Sequence, residues 1–447
     1  MKKRLVSALL MGTLIVSLFG ACGNGDSEVE EPQQNQEEPQ ENQEEPQEKK
    51  PVDANVEVIG GMGEFNSALV SYIEENGFEN QNYMISPTSY RAALCLATAG
   101  ANGQTKQELL DALKFESEDQ MNAWYSMVYN ETVEFQDSIQ EEIDYLEELE
   151  NDEDLRDMYS QVGNGQPDGA FKLVNSIWAN ESGNCEFTDE YIEKVDELYS
   201  ATADSRPADQ LTDAINEWVN DSTNGQISKI SDDLSQVDLA LINALYLRAG
   251  WKDKFYEDAT EKGKFTTFDG ATTQKDFMCR QDDILYYEEE GGKLIILPLD
   301  YGVKSAFILG EISDIDKALS EATELEVDVR LPKIDMESEF GKEELIGFLQ
   351  DQGVELAFRD DGSADFSIMS NLPVYIDDII QKTKIKTDED GIEAAAVTIV
   401  AMMEATAAMP EEQEVKEFYA DEPFQFLIYT DLENSENEIL FYGQVVE

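Results

Sequence analysis

The 447-residue sequence contains no histidine. That excludes Ser-His-Asp and Cys-His catalytic arrangements, excludes hydrolysis by an imidazole base, and removes the commonest zinc ligand. Positive charge is scarce as well. Lysine and arginine total 31 against 97 acids, a formal net charge of −66. Such a surface repels phosphate backbones and anionic headgroups, so nucleic acid is excluded as a partner. Cysteine is limited to Cys22, Cys95, Cys185 and Cys279. If Cys22 is set aside for the role given below, an odd, widely spaced set remains, which argues for buried free thiols over a disulfide framework. Acids are plentiful, but none falls in a calcium-loop spacing with a central glycine, and neither metal nor cofactor is expected. What is present is 41% hydrophobic residues, enough for one large core or two ordinary ones.

The N-terminus has targeting character. Lys2, Lys3 and Arg4 precede an apolar run over residues 5–19, the pattern of a secretory signal. Leu18-Phe19-Gly20-Ala21-Cys22 resembles a bacterial lipobox, with Phe19 in place of the usual aliphatic residue. That resemblance implies a signal peptide over residues 1–21 and lipidation of Cys22. The protein would then be extracytoplasmic, held to the bacterial membrane surface by lipid alone. Residues 23–50 are mostly Glu, Gln, Pro and Asn, with Pro32, Pro39 and Pro46 at seven-residue intervals. No apolar seam accompanies that period, so the segment reads as an extended, solvated spacer and not a coiled coil. The expected organisation is lipidated terminus and linker over 22–54, then one domain over 55–447.

Within the domain, Phe65, Leu69, Val70 and Ile73 fall on one helical face. Tyr191, Ile192, Val195, Leu198 and Tyr199 do likewise, with Thr188 placed to cap. Residues 136–156 carry many acids, yet Ile139, Ile143 and Leu146 share a face, which predicts a short docked helix with a solvated acidic side. Leu325, Val327, Val329 and Leu331 alternate with Glu326, Asp328 and Arg330, as in a strand with one wet face. Residues 294–297 form a continuous apolar run suited to a strand covered on both sides. Residues 424–429 and 439–442 predict a hairpin. Helices dominate early and strands late, an α+β pattern.

Several segments, in order, resemble serpins. They are "NYMISPTSYRAALCLATAGANGQTKQEL" (82–109), "INEWVNDSTNGQI" (215–227), "LINALYLRAGWKDKF" (241–255), "LPKIDMES" (331–338), "ADFSIMS" (364–370), "DEDGIEAAAVT" (388–398) and "DEPFQFLIY" (421–429). The resemblance implies three β-sheets, eight to nine helices and an exposed reactive-centre loop, in a protein that is not an enzyme. It also implies a suicide mechanism. A protease attacks the loop and forms an acyl-enzyme, the freed loop inserts as a new strand of the central sheet, and the dragged protease is distorted before water releases it. The hinge carried over is Glu389, Gly391, Ile392, Glu393, Ala394, Ala395, Ala396, Val397 and Thr398. The shutter beneath the sheet corresponds to Ser86, Ser89, Asn243 and Gln381. Gln381 stands where the family usually has histidine; glutamine donates and accepts but does not titrate. Sheet opening is therefore expected to lack a histidine-linked pH dependence near neutrality.

The residues of 389–412 suit a segment that is loop first and strand later. Gly391 permits a turn, Ala394, Ala395 and Ala396 have almost no side chain to thread between strands, and residues 397–400 favour β-structure. No proline occurs between Gly391 and Met409, so each inserted amide can donate to the ladder. Ile392 departs from the usual Thr or Ser, and its bulk is expected to slow insertion. Family spacing puts the reactive bond at Ala405-Thr406, with Glu404-Ala405, Ala407-Ala408 and Met409-Pro410 as neighbouring alternatives. Small residues there suit elastase-like or subtilisin-like serine proteases, or cysteine proteases that tolerate alanine. Arg and Lys are absent from 389–412, which disfavours trypsin-like targets. The leading expectation is a monomeric inhibitor of extracellular proteases. The alternative is a non-inhibitory serpin that serves as substrate or binding protein.

Overall fold

The computed structural model describes residues 48–51, 62–151, 167, 169–183, 185–223, 225–392, 415–430 and 437–447. Residues 1–47, which hold the expected signal peptide, Cys22 and most of the expected linker, and residues 393–414 lie outside the described residues.

Helix α1 (Glu64–Ile73) buries Phe65, Leu69, Val70 and Ile73, the face its spacing predicts. Strand β1 (Tyr83–Ile85) leads into α2 (Pro87–Gly100), where Ser86 caps by accepting from the Ser89 N–H and Pro87 takes the first turn. Every residue of α2 is buried. Small side chains make that possible: a Cβ on Gly100 would come within 2.7 Å of Met369 Cε and 2.9 Å of the Tyr191 ring. Helix α3 (Gly103–Ala112) follows, then α4 (Glu118–Asn151).

Helix α4 corrects the expectation of a short acidic helix. It runs unbroken for 34 residues, because no Gly or Pro interrupts it and the buried stripe of Met121, Trp124, Tyr125, Val128, Phe135, Ile139, Leu146 and Leu149 continues at helical spacing. The acidic end is thus the continuation of a core helix, with Ile139 and Leu146 docked as expected and Tyr145 53% exposed.

Strand β2 (Ala170–Asn180) precedes α5 (Asp189–Tyr199), which Thr188 caps by accepting from the Tyr191 N–H. Tyr191, Val195 and Tyr199 are buried, but Ile192 and Leu198 are each 40% exposed, narrowing the predicted apolar face to a single row. Next come β3 (Thr202–Arg206), α6 (Ala208–Ser222) and β4 (Leu239–Gly250). The strand-rich half is β5 (Glu261–Thr266), β6 (Thr272–Glu289), β7 (Gly292–Pro298), β8 (Val303–Gly310), α7 (Ile315–Glu321), β9 (Thr323–Pro332), β10 (Asp335–Phe340), α8 (Lys342–Asp351), β11 (Asp378–Lys386), β12 (Gly391–Ile392), β13 (Lys416–Tyr419), β14 (Phe424–Thr430) and β15 (Glu438–Val445).

Hydrogen bonds join the described strands into two networks. One is six-stranded, ordered β10-β11-β4-β2-β3 with β12 attached to β4. The other is nine-stranded, ordered β1-β15-β14-β8-β7-β6-β9-β13 with β5 on β6. Within the second, β6 pairs with β5 and β9 along most of its length and with β7 only over its last residues. It thereby joins two sheet portions, which with the six-stranded sheet make up the three expected. Helix α2 packs against β2, β4 and β15, so it lies between the central sheet and the C-terminal hairpin. Cys95 and Cys185 are buried free thiols, while Cys279 is only partly buried.

Candidate functional site

The central sheet contains an unfinished pair. Strands β4 and β11 are parallel neighbours, but their register runs only from Asp378–Ala240 to Gln381–Asn243. Beyond that point β11 stays paired with β10 as far as Lys386, and β4 stays paired with β2 as far as Arg248. Each strand keeps its outer partner while the inner edges part. Facing edges without a ladder are a template for an added strand. At the far end β12 closes the space, pairing antiparallel with β4 through Gly391–Gly250 and Ile392–Ala249, while Ile392 also bridges to Thr387.

The lower end of this gap is held by neutral hydrogen bonds. The Gln381 amide donates to the Ser86 C=O at 2.9 Å and to Asn243 Oδ1 at 2.7 Å, and its oxygen accepts from the Ser86 N–H at 2.9 Å. Ser89 Oγ donates to Asn243 Oδ1 at 3.3 Å, and Ser86 Oγ donates to the Leu440 C=O at 2.7 Å. All four side chains are fully buried. The structure thus brings together Ser86, Ser89, Asn243 and Gln381, residues separated by up to 295 positions. Thr383, which sequence reasoning did not single out, adds a bond from its hydroxyl to the Met84 C=O at 2.7 Å.

The upper end is charged. Glu389 is buried and accepts from Lys333 Nζ at 2.6 Å and Thr260 Oγ1 at 2.5 Å. Burial alone would raise this carboxyl, but Lys333 and Thr260 outweigh it and hold the group below its ordinary value. The backbone of the same turn is fixed by Trp251, whose N–H donates to the Asp390 C=O at 2.9 Å and whose indole donates to the Asp388 C=O at 2.8 Å. The Phe255 N–H bonds the Glu389 C=O at 3.0 Å, and Lys254 pairs with Asp390 at 3.1 Å. Gly391 sits as a strand residue opposite Gly250, and Ile392 is 3% exposed. The rest of the expected hinge (Glu393, Ala394, Ala395, Ala396, Val397 and Thr398) lies outside the described residues, as do Glu404, Ala405 and Thr406. Sequence reasoning missed Lys333 and Thr260. A distance of 56 or more positions separates them from Glu389, and no local pattern marks them; only the quoted "LPKIDMES" held a clue.

The site is a pair of central-sheet strands held apart, with β12 seated at the top of the opening and Gln381 bonded across its base. The family model for serpins (serine protease inhibitors) matches residues 61–447, and the chain belongs to the serpin family. An uncharacterized serpin-like protein of Thermococcus kodakarensis is 30% identical over 403 residues, covering 85% of this chain and 84% of its own length. The leukocyte elastase inhibitor of Homo sapiens is 26% identical over 396 residues, covering 81% of this chain and 92% of its own. Human thyroxine-binding globulin, solved with thyroxine, superposes with a TM-score of 0.67 at 18% identity, covering 86% of this chain and 96% of its own, a likeness of fold alone.

Proposed function

We propose that this serpin is a suicide-type inhibitor of extracellular proteases with small-residue specificity, serine proteases foremost and alanine-tolerant cysteine proteases as well. The observation that carries the reading is the parted β4–β11 pair with Gly391 and Ile392 already seated at its top. A loop rooted there needs only to continue downward, residue by residue, to complete the sheet. The small residues that follow Ile392 in sequence favour that movement. Ile392 itself, expected to slow insertion by its bulk, is buried beside Ala249 and Thr387 at the top of β4, which supports a trapping step that begins after residue 392. Ala405-Thr406 is the proposed reactive bond. Cys22 is the proposed lipidation site, tethering a monomer to the outer face of the cell membrane through the acidic spacer.

The purified domain incubated with elastase-like, subtilisin-like and alanine-tolerant cysteine proteases should form a covalent complex that survives boiling in detergent. Clean cleavage with protease activity unchanged would assign the chain to the non-inhibitory alternative. Metabolic labelling with a fatty acid, lost in Cys22→Ser, tests the anchor.

A further inference from the structure

The upper end of the gap also holds a carboxylate that no bond in the hinge uses. Asp300 lies in the turn between β7 and β8, followed by Tyr301, whose φ of 56° and ψ of 37° place a non-glycine residue in the left-handed region. Tyr301 is held there by an edge contact with Phe135, ring centroids 5.1 Å apart, and by donating its hydroxyl to Glu142 Oε2 at 2.8 Å. This fixed turn presses Asp300 onto the backbone of β4. A Cβ on Gly250 would lie 2.6 Å from Asp300 Oδ2 and 3.5 Å from the Asp390 C=O. Gly250 is the residue that pairs with Gly391, and the next residue, Trp251, carries the amide bonded to Asp390. Asp300 therefore rests on the joint from which β12 hangs.

The charged groups around it come from two elements: Glu142 from α4, and Lys252, Asp253 and Lys254 from the segment after β4. On the hinge side it is the Asp390 carbonyl oxygen that comes close to Gly250. Lys254 is engaged with Asp390. Among the described residues no hydrogen bond or ion pair reaches the Asp300 carboxylate, so its charge is carried in a partly dry, partly anionic site.

We propose that Asp300 is a proton-operated latch on the hinge: protonated, it lets the Gly250–Gly391 joint stay closed, and ionised, it favours release of β12 from β4. Burial first and Glu142 second push this carboxyl up to about 6, against the pull of Lys254 and Lys252. The closed joint thus holds the proton more tightly than an opened, hydrated one does. Closure is most favoured below the ordinary carboxylate range and is weakened as pH rises through about 6. A histidine-free shutter is pH-insensitive, but the sheet as a whole is not, because the titrating group sits at the other end of the gap. What the latch would regulate, loop insertion, rests on the inhibitor reading.

Hydrogen exchange tests the latch with no protease in the measurement, so the latch and the inhibitor reading can fail separately. The amides of Trp251 and Phe255, bonded to Asp390 and Glu389, report opening of the joint. Corrected for intrinsic exchange, their protection in the full chain should fall about tenfold between pH 5 and 7.5, the change that one pKa unit of linkage gives. In Asp300→Asn, protection should be high and flat across that range. Glu142→Gln, which keeps an acceptor for Tyr301, should move the midpoint to lower pH and carries the test if Asp300→Asn does not fold. A flat wild-type profile, a midpoint unchanged in Asp300→Asn, or one unmoved in Glu142→Gln would overturn the proposal.

Discussion

The two ends of the gap between β4 and β11 are closed by different chemistry. Below, Gln381, Asn243, Ser86 and Ser89 form a dry network of neutral amides and hydroxyls. Above, Glu389, Lys333, Asp390 and Lys254 form a partly hydrated set of charges around Trp251. A neutral buried network is costly to break and indifferent to pH, whereas a charged, half-wet one is adjustable. On the proposed mechanism the sheet stays shut at its base until a strand arrives from the top, and the proposed Asp300 latch would put a pH response at the hinge of a chain without histidine.

Breaking the lower end should have the largest effect. Gln381→Ala leaves the Ser86 N–H and C=O and Asn243 Oδ1 buried without this partner, and should cost about 3 kcal/mol in urea unfolding. Gln381→His should restore part of that and add a pH dependence the wild-type shutter lacks.

Breaking the upper end should cost less and depend on pH. Lys333→Met removes the cation from a buried Glu389 and should destabilise by about 2 kcal/mol at pH 7. Because the folded state depresses the Glu389 carboxyl, its contribution is present above the ordinary glutamate value and lost as pH falls below it. The gap between wild type and Lys333→Met in thermal melts should therefore close in acid. An equal gap at pH 7 and pH 3.5 would show that the lysine acts by packing alone.

The smallest effect belongs to Ile392→Thr. Replacing the buried ethyl group with a hydroxyl while keeping the methyl should cost about 1 kcal/mol in the same melts. It should leave the partition between trapped and cleaved inhibitor nearly unchanged, since residue 392 is seated before cleavage. A marked rise in the trapped fraction would return the bulk of Ile392 to the insertion step.

Periodicity made much of the frame legible. Helix α1, the cap on α5, the alternating β9, the covered β7 and the C-terminal hairpin all rest on local rules that the structure keeps. It failed where tertiary context decides. Ile192 and Leu198 extend the apolar face of α5, but nothing covers them fully, because the helix lies at the surface over Tyr191, Val195 and Tyr199. The acidic stretch after residue 136 hid a helix that begins at Glu118, since charge draws attention away from an apolar stripe that continues beneath it. Ser86, Ser89, Asn243 and Gln381, which the structure brings together, were grouped in the sequence through resemblance, not pattern. Lys333, Thr260 and Asp300 escaped because their meaning lies in what the fold sets beside them, Glu389 for the first two and Gly250 for the third.

In the proposed mechanism the cut loop completes the gap between β4 and β11. Thermal unfolding of the intact domain and of the same domain nicked once in the loop by an elastase-like protease measures it directly. A completed sheet predicts a large rise in melting temperature after cleavage, with both fragments retained. An unchanged or lower melting temperature in the nicked protein would contradict it.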